Sequence, residues 1–138
     1  KMKKQIIFLF VLATMALIGF TSCEPFIENK ITIRNEALES VTVNIRGQLH
    51  EVNGNGGVLI LNDFKKGTFE YETLYTLPDG ISDFSAEGDV AGEIVLNAGT
   101  EVLLSYTYTL TDSAYVVYGS MTSTDDINRV DPFEEEGN

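Results

Sequence analysis

Three kinds of side chain in this sequence could do chemistry: one thiol, one imidazole and several spaced carboxylates. Cys23 is the only cysteine, so it forms no disulfide within the chain. His50 is the only histidine, set between Leu49 and Glu51 beside a flexible glycine-rich turn. A nucleophile needs a base within hydrogen-bond reach, and His50 reads instead as an exposed loop residue. Glu70 and Glu72 fall on the same side of one strand, a placement that could serve acid–base work on a glycosidic bond. Any solvated strand face has the same spacing, so catalysis is not expected of them. One histidine and one cysteine do not make a zinc site. Oxygen ligands suited to calcium gather at Asp79-Gly80-Ile81-Ser82-Asp83 and at Asp125-Asp126. Asp79, Asp83, Asp125 and Asp126 are therefore weak calcium candidates. Neither run matches a twelve-residue EF-hand loop, and solvated turns are the plainer reading. Asn53-Gly54-Asn55-Gly56-Gly57 could cradle a phosphate only if a helix began just after it. The apolar Val58-Leu59-Ile60-Leu61 comes next instead. No catalytic residue and no bound cofactor or metal is expected.

The elements that would position these groups begin with a leader. Lys1-Met2-Lys3-Lys4 is basic, and residues 6–20 carry no charge. Fifteen uncharged, mostly apolar residues are short of the roughly 20 that a membrane-spanning helix needs. They suit the core of a secretory signal peptide. Phe20-Thr21-Ser22-Cys23 ends the run and resembles the lipobox of bacterial lipoproteins, with the Ser-Cys junction frequent in those of Bacteroidota. The resemblance implies cleavage before Cys23, acylation of its thiol and amine, and a mature chain that starts there. Phe20 departs from the pattern, where leucine is commoner. Residues 1–22 are then a lipoprotein signal peptide and residues 23–29 a lipidated tether. A single acyl chain holds a protein only marginally, and two or three hold it firmly.

Residues 23–138 keep six basic and all 21 acidic residues, a net charge of −15. That balance argues against nucleic acid and against docking on anionic lipid head groups. The Tyr71, Tyr75, Tyr106 and Tyr108 rings could form a sugar platform, but they alternate with polar residues on apolar strand faces, which points to a core. Tyr115 and Tyr118 fall on opposite faces of the last strand, so one of them is expected outside.

Period-two alternation of β-branched and aromatic residues runs through residues 30–123, broken by turn signals every 8–12 residues. Val41, Val43 and Ile45 share one face; so do Phe69, Tyr71, Thr73, Tyr75 and Leu77, and so do Leu104, Tyr106, Tyr108 and Leu110. Residues 57–61 read as a strand buried on both faces, and Ala86-Glu87-Gly88-Asp89 as a turn. From Thr124 the pattern dissolves into an acidic tail over residues 124–138, expected to be loose. The fold class is all-β: an antiparallel seven- to eight-stranded sandwich of immunoglobulin or transthyretin-like type.

Leu61-Asn62-Asp63-Phe64 followed by Gly67-Thr68-Phe69 resembles the strand-end corner of transthyretin-like and carboxypeptidase-regulatory sandwich modules. That resemblance implies a fold and no activity. The lipobox, the small β domain and the lack of catalytic residues together resemble the accessory lipoproteins that accompany SusC/SusD-type nutrient importers. This resemblance implies a non-enzymatic subunit of an outer-membrane complex, with the cell-surface face favoured over the periplasmic one. The alternative is a freestanding surface module that binds glycan or calcium.

Overall fold

The structure is a computed structural model that describes residues 28–127. The leader, the lipobox with Cys23, most of the tether, and residues 128–138 of the acidic tail lie outside the described residues. Nine strands form: β1 (Asn29–Asn35), β2 (Val41–Ile45), β3 (Gln48–Val52), β4 (Gly57–Phe64), β5 (Gly67–Tyr75), β6 (Asp83–Gly88), β7 (Ala91–Leu96), β8 (Glu101–Leu110) and β9 (Ala114–Ser123). A single helical turn, α1 (Thr124–Ile127), comes after them.

They build two sheets, β4-β1-β8-β9-β6 and β3-β2-β5-β7. The smaller sheet is antiparallel throughout. The larger is mixed, because β1 runs parallel to β8 and β6 parallel to β9. The all-β sandwich holds, with nine strands in place of seven or eight. Parallel neighbours need long crossovers, and here the chain makes them by passing through the other sheet. That pairing is not written in local periodicity.

The alternating faces supply the core. Ile31 and Ile33 of β1, Val41, Val43 and Ile45 of β2, Phe69 and Tyr71 of β5, and Val102, Leu104 and Tyr106 of β8 are buried between the sheets. Burying each such side chain is worth roughly 1.5–3 kcal/mol. Tyr115 is buried and Tyr118 faces out, as their spacing requires. β4 departs from expectation. Leu59 and Leu61 point inward, but Val58 and Ile60 are about half exposed (53% and 54%). An apolar run looks doubly buried in sequence; this one lies at a sheet edge with nothing over its outer side among the described residues. A second correction is at residues 86–89, where β6 continues to Gly88 and the turn falls at Asp89-Val90. Gly88 is needed there, since its φ is +79° and a Cβ would overlap the Gly119 carbonyl.

β4 passes to β5, and so from one sheet to the other, through Lys65-Lys66. Asp63 takes a positive φ of 67°, and Phe64 meets Phe69 edge-on with ring centroids 5.6 Å apart. Buried Phe69 thereby starts β5 inside the core.

Two asparagines close the ends of β1. Asn35 is fully buried; its Nδ2 donates to the Glu39 and Val52 carbonyls (2.9 and 3.0 Å), and its Oδ1 accepts from the Ala37 amide (3.0 Å). Against this loop docks the glycine-rich turn: the Asn55 amide donates to the Ala37 carbonyl and the Gly56 amide to the Asn35 carbonyl, both at 2.7 Å. A Cβ on Gly54 would overlap the Leu38 carbonyl. At the other end, Asn29 donates to the Phe64 carbonyl (3.1 Å) and accepts from the Thr100 amide (2.8 Å). A buried donor or acceptor left unpaired costs about 1–3 kcal/mol. Asn35→Ala should therefore lower unfolding stability by roughly 2–4 kcal/mol in a urea titration. Ser40→Ala, which removes only the exposed bond to Thr76, should change it by less than about 1 kcal/mol.

Candidate functional site

The described residues offer two outer sheet faces, and they differ in chemistry. On the β3-β2-β5-β7 sheet, Glu70 and Glu72 project outward from β5, and Glu93 of β7 lies directly opposite Glu70. Like charges facing each other across strands are mildly destabilising. A shallow cleft of about 400 Å³ is lined by Asn44, Arg46, Gly47, Glu70, Tyr71 and Glu72. Asn44 Nδ2 donates to Glu72 Oε1 at 3.2 Å. Glu70 and Glu72 do share a face, and both lie open to solvent.

The outer face of the larger sheet mixes threonine, serine and exposed aliphatic residues with Lys30, Arg34 and Glu101. Cross-strand register places Ile60, Thr32, Leu103 and Thr122 in one row, and Val58, Arg34, Ser105 and Ser120 in the next. Thr107 and Thr109 continue the threonine face of β8, exposed as their alternation requires. Leu103 floors a groove of about 330 Å³ whose walls include Thr32, Thr122 and the Lys30–Glu101 ion pair (3.0 Å). β4 borders this face and carries no strand on its far side among the described residues. Edge strands invite pairing unless charge, proline or shortness blunts them. The eight residues of β4 include one charge, Asp63, at its final turn. By contrast the other edge of this sheet, β6, is shorter and carries Asp83 and Glu87.

The calcium candidates are not brought together. Asp79 lies in the exposed turn before β6, and Asp83 opens that strand. Asp125 is committed elsewhere: its Oδ2 accepts from Asn97 Nδ2 (2.7 Å) and from the buried Thr100 hydroxyl (2.9 Å), which ties α1 to the β7–β8 turn. The start of the acidic tail is thus docked rather than loose. Asp126 is beside it and makes neither bond. Among the described residues no group of three or more His, Cys, Asp or Glu is placed to hold a metal ion. No helix among them is long and apolar enough to cross a membrane.

His50 also moves from its expected place. It belongs to β3, opposite core residue Val43, and is half-buried with Nε2 unpartnered. The polar turn residues around it hid the strand. Between the sheets lies a tyrosine cluster that the alternation did foretell. The Tyr106 hydroxyl bonds Thr73 Oγ1 at 2.7 Å, Tyr71 donates to the Asp89 carbonyl at 3.0 Å, and Tyr115 accepts from the Leu38 amide at 3.2 Å. The Tyr75 hydroxyl is buried without a partner. Thr73 is near enough to ease its ionisation but is engaged by Tyr106. Burial is the main reason that Tyr75 is pushed up to about 12 and that Tyr71, Tyr106 and Tyr115 are also raised. These rings are core, closed to a sugar.

No protein-family model matches the chain, and a search of curated proteins finds no match.

Raised tyrosine pKa values mean that the folded state holds protons that the unfolded chain releases. Stability is therefore complete below the ordinary tyrosine value and falls as pH climbs from about 10 toward about 12. Unfolding free energy measured by denaturant at stepped alkaline pH should show that decline. Tyr75→Phe should be neutral or stabilising by up to about 1 kcal/mol, because it deletes an unpaired hydroxyl, whereas Tyr106→Phe should cost about 1–2 kcal/mol.

Proposed function

We propose that this protein is a lipid-anchored, non-enzymatic interaction subunit of the outer membrane. Cys23 would carry the lipid, and the domain would act by contact with a larger integral complex. A SusC/SusD-type importer is the complex its sequence resemblance implies, with the cell surface as the favoured side. The observation that carries this reading is the set of exposed apolar residues on the outer face beside the open β4 edge. Val58, Ile60 and Leu103 stay exposed there in a domain whose net charge would favour a polar surface everywhere. Exposed apolar residues that line up across strands, beside unpaired backbone groups, fit a protein partner that adds a strand or covers a sheet.

Two measurements test it. Mass analysis of the native amino terminus should find acylated Cys23, and Cys23→Ala should move the protein out of the membrane fraction. Mild solubilisation should recover the protein with an integral outer-membrane β-barrel in fixed ratio. Ile60→Asp should weaken that association by at least about tenfold and shift unfolding stability by no more than about 0.5 kcal/mol. A protein that is always recovered alone, with acylation intact, would leave the freestanding glycan- or calcium-binding alternative in its place.

A further inference from the structure

Net charge conceals where the positive residues are. Lys30, Arg34, Arg46, Lys65 and Lys66 are the basic residues among those described. Arg34 is paired with Glu36 at 2.9 Å and Lys30 with Glu101 at 3.0 Å. Arg46, Lys65 and Lys66 face no carboxylate within ion-pair distance among the described residues, and all three are exposed. Arg46 and Lys65 meet at one corner of the sandwich, where the β2–β3 turn approaches the β4–β5 turn, and Lys66 follows Lys65 in that second turn. There Arg46, Gln48, Asn62, Asp63, Phe64 and Lys65 line an open cleft of about 520 Å³. Asp63 is the one carboxylate in that lining, against two cations in it and a third at Lys66.

Arg46 is held there against local preference. Arg46-Gly47 forms the two-residue turn between β2 and β3 with φ of 55° and 79°. Such turns favour asparagine or aspartate at the first position. A long side chain at positive φ is strained, and observed strain of this kind points toward function. Its guanidinium lies over the Phe69 ring, 5.0 Å from the centroid, and that contact fixes the group at the mouth of the cleft.

Strand β1 begins at the same corner. Asn29 bonds the carbonyl of Phe64, the residue before Lys65. Five residues separate Cys23 from Asn29, so the lipid is attached within about 20 Å of the cleft even if the chain is fully extended. An acidic domain tied this closely to an anionic surface is repelled by it unless its basic corner faces down. Fixed charges act over about 8–10 Å at physiological salt.

We propose that Arg46, Lys65 and Lys66 form the membrane-facing corner of the domain and engage the phosphates of anionic lipid head groups. This contact sets how the sandwich stands on the bilayer. It rests on acylation of Cys23, and it revises the expectation from net charge that head groups are avoided.

The native lipoprotein, reconstituted in vesicles of phosphatidylcholine or of phosphatidylcholine mixed equally with phosphatidylglycerol, tests it by hydroxyl-radical footprinting. The peptide spanning residues 62–66 should be protected about threefold more in the anionic vesicles. Peptides carrying Leu77 and Leu110 should be unchanged, and high salt should remove the difference. The combined R46Q, K65Q and K66Q variant should lose the protection while staying membrane-bound. Equal labelling in both vesicles, or equal protection of variant and native protein, overturns the proposal with acylation untouched. Protection by inorganic phosphate in neutral vesicles, where chloride has no effect, overturns it in favour of a free-anion site. A Cys23 peptide without acyl chains overturns both this proposal and the anchoring it rests on.

Discussion

Strand β1 is paired on both sides and packed into the core, and its two ends close on buried asparagines. Everything else is arranged around the need to satisfy those amides. A buried amide without partners would cost more than most single contacts gain. At one end Asn35 therefore gathers the loop after β1, the last residue of β3 and, through its backbone carbonyl, the glycine-rich turn. At the other end Asn29 holds the end of β4 and Thr100, and Thr100 holds Asp125 of α1. One strand thus fixes both sheets' loops and the first turn of the acidic tail.

With the strands so fixed, the two outer faces acquire separate characters. The β5–β7 face collects Glu70, Glu72 and Glu93 in solvent, where their mutual repulsion is screened and tolerated. The β4–β1–β8 face collects threonine, serine and exposed aliphatic residues.

The same register explains why the basic residues matter despite their small number. β2 ends at Ile45 opposite Tyr71, β5 begins at Gly67, and β1 begins beside Phe64. Arg46, Lys65, Lys66 and the start of β1 therefore share one corner, although they are scattered over the chain. The domain is asymmetric: one outer face collects glutamates, and the corner of the β2–β3 and β4–β5 turns carries Arg46, Lys65 and Lys66.

Much of this was legible in the residues alone. Alternation at Val41, Val43 and Ile45, at Phe69 and Tyr71, and at Leu104 and Tyr106 defines buried faces, since a pleated strand sends successive side chains to opposite sides. Opposite placement of Tyr115 and Tyr118 comes from the same geometry. The Ser22-Cys23 junction carries a local resemblance to a lipobox that needs no fold to be read. Tertiary structure alone decided the rest. An apolar run such as Val58-Leu59-Ile60-Leu61 does not say whether a neighbour covers it; only the two-layer arrangement, with nothing packed on this outer face among the described residues, leaves Val58 and Ile60 exposed. Asp125 looks free in the bare sequence and is not, because its partners Asn97 and Thr100 come from a turn far away along the chain. Parallel pairing of β1 with β8, and the corner where Arg46 meets Lys65, depend on how distant strands are brought together, and periodicity within a single strand carries no record of that.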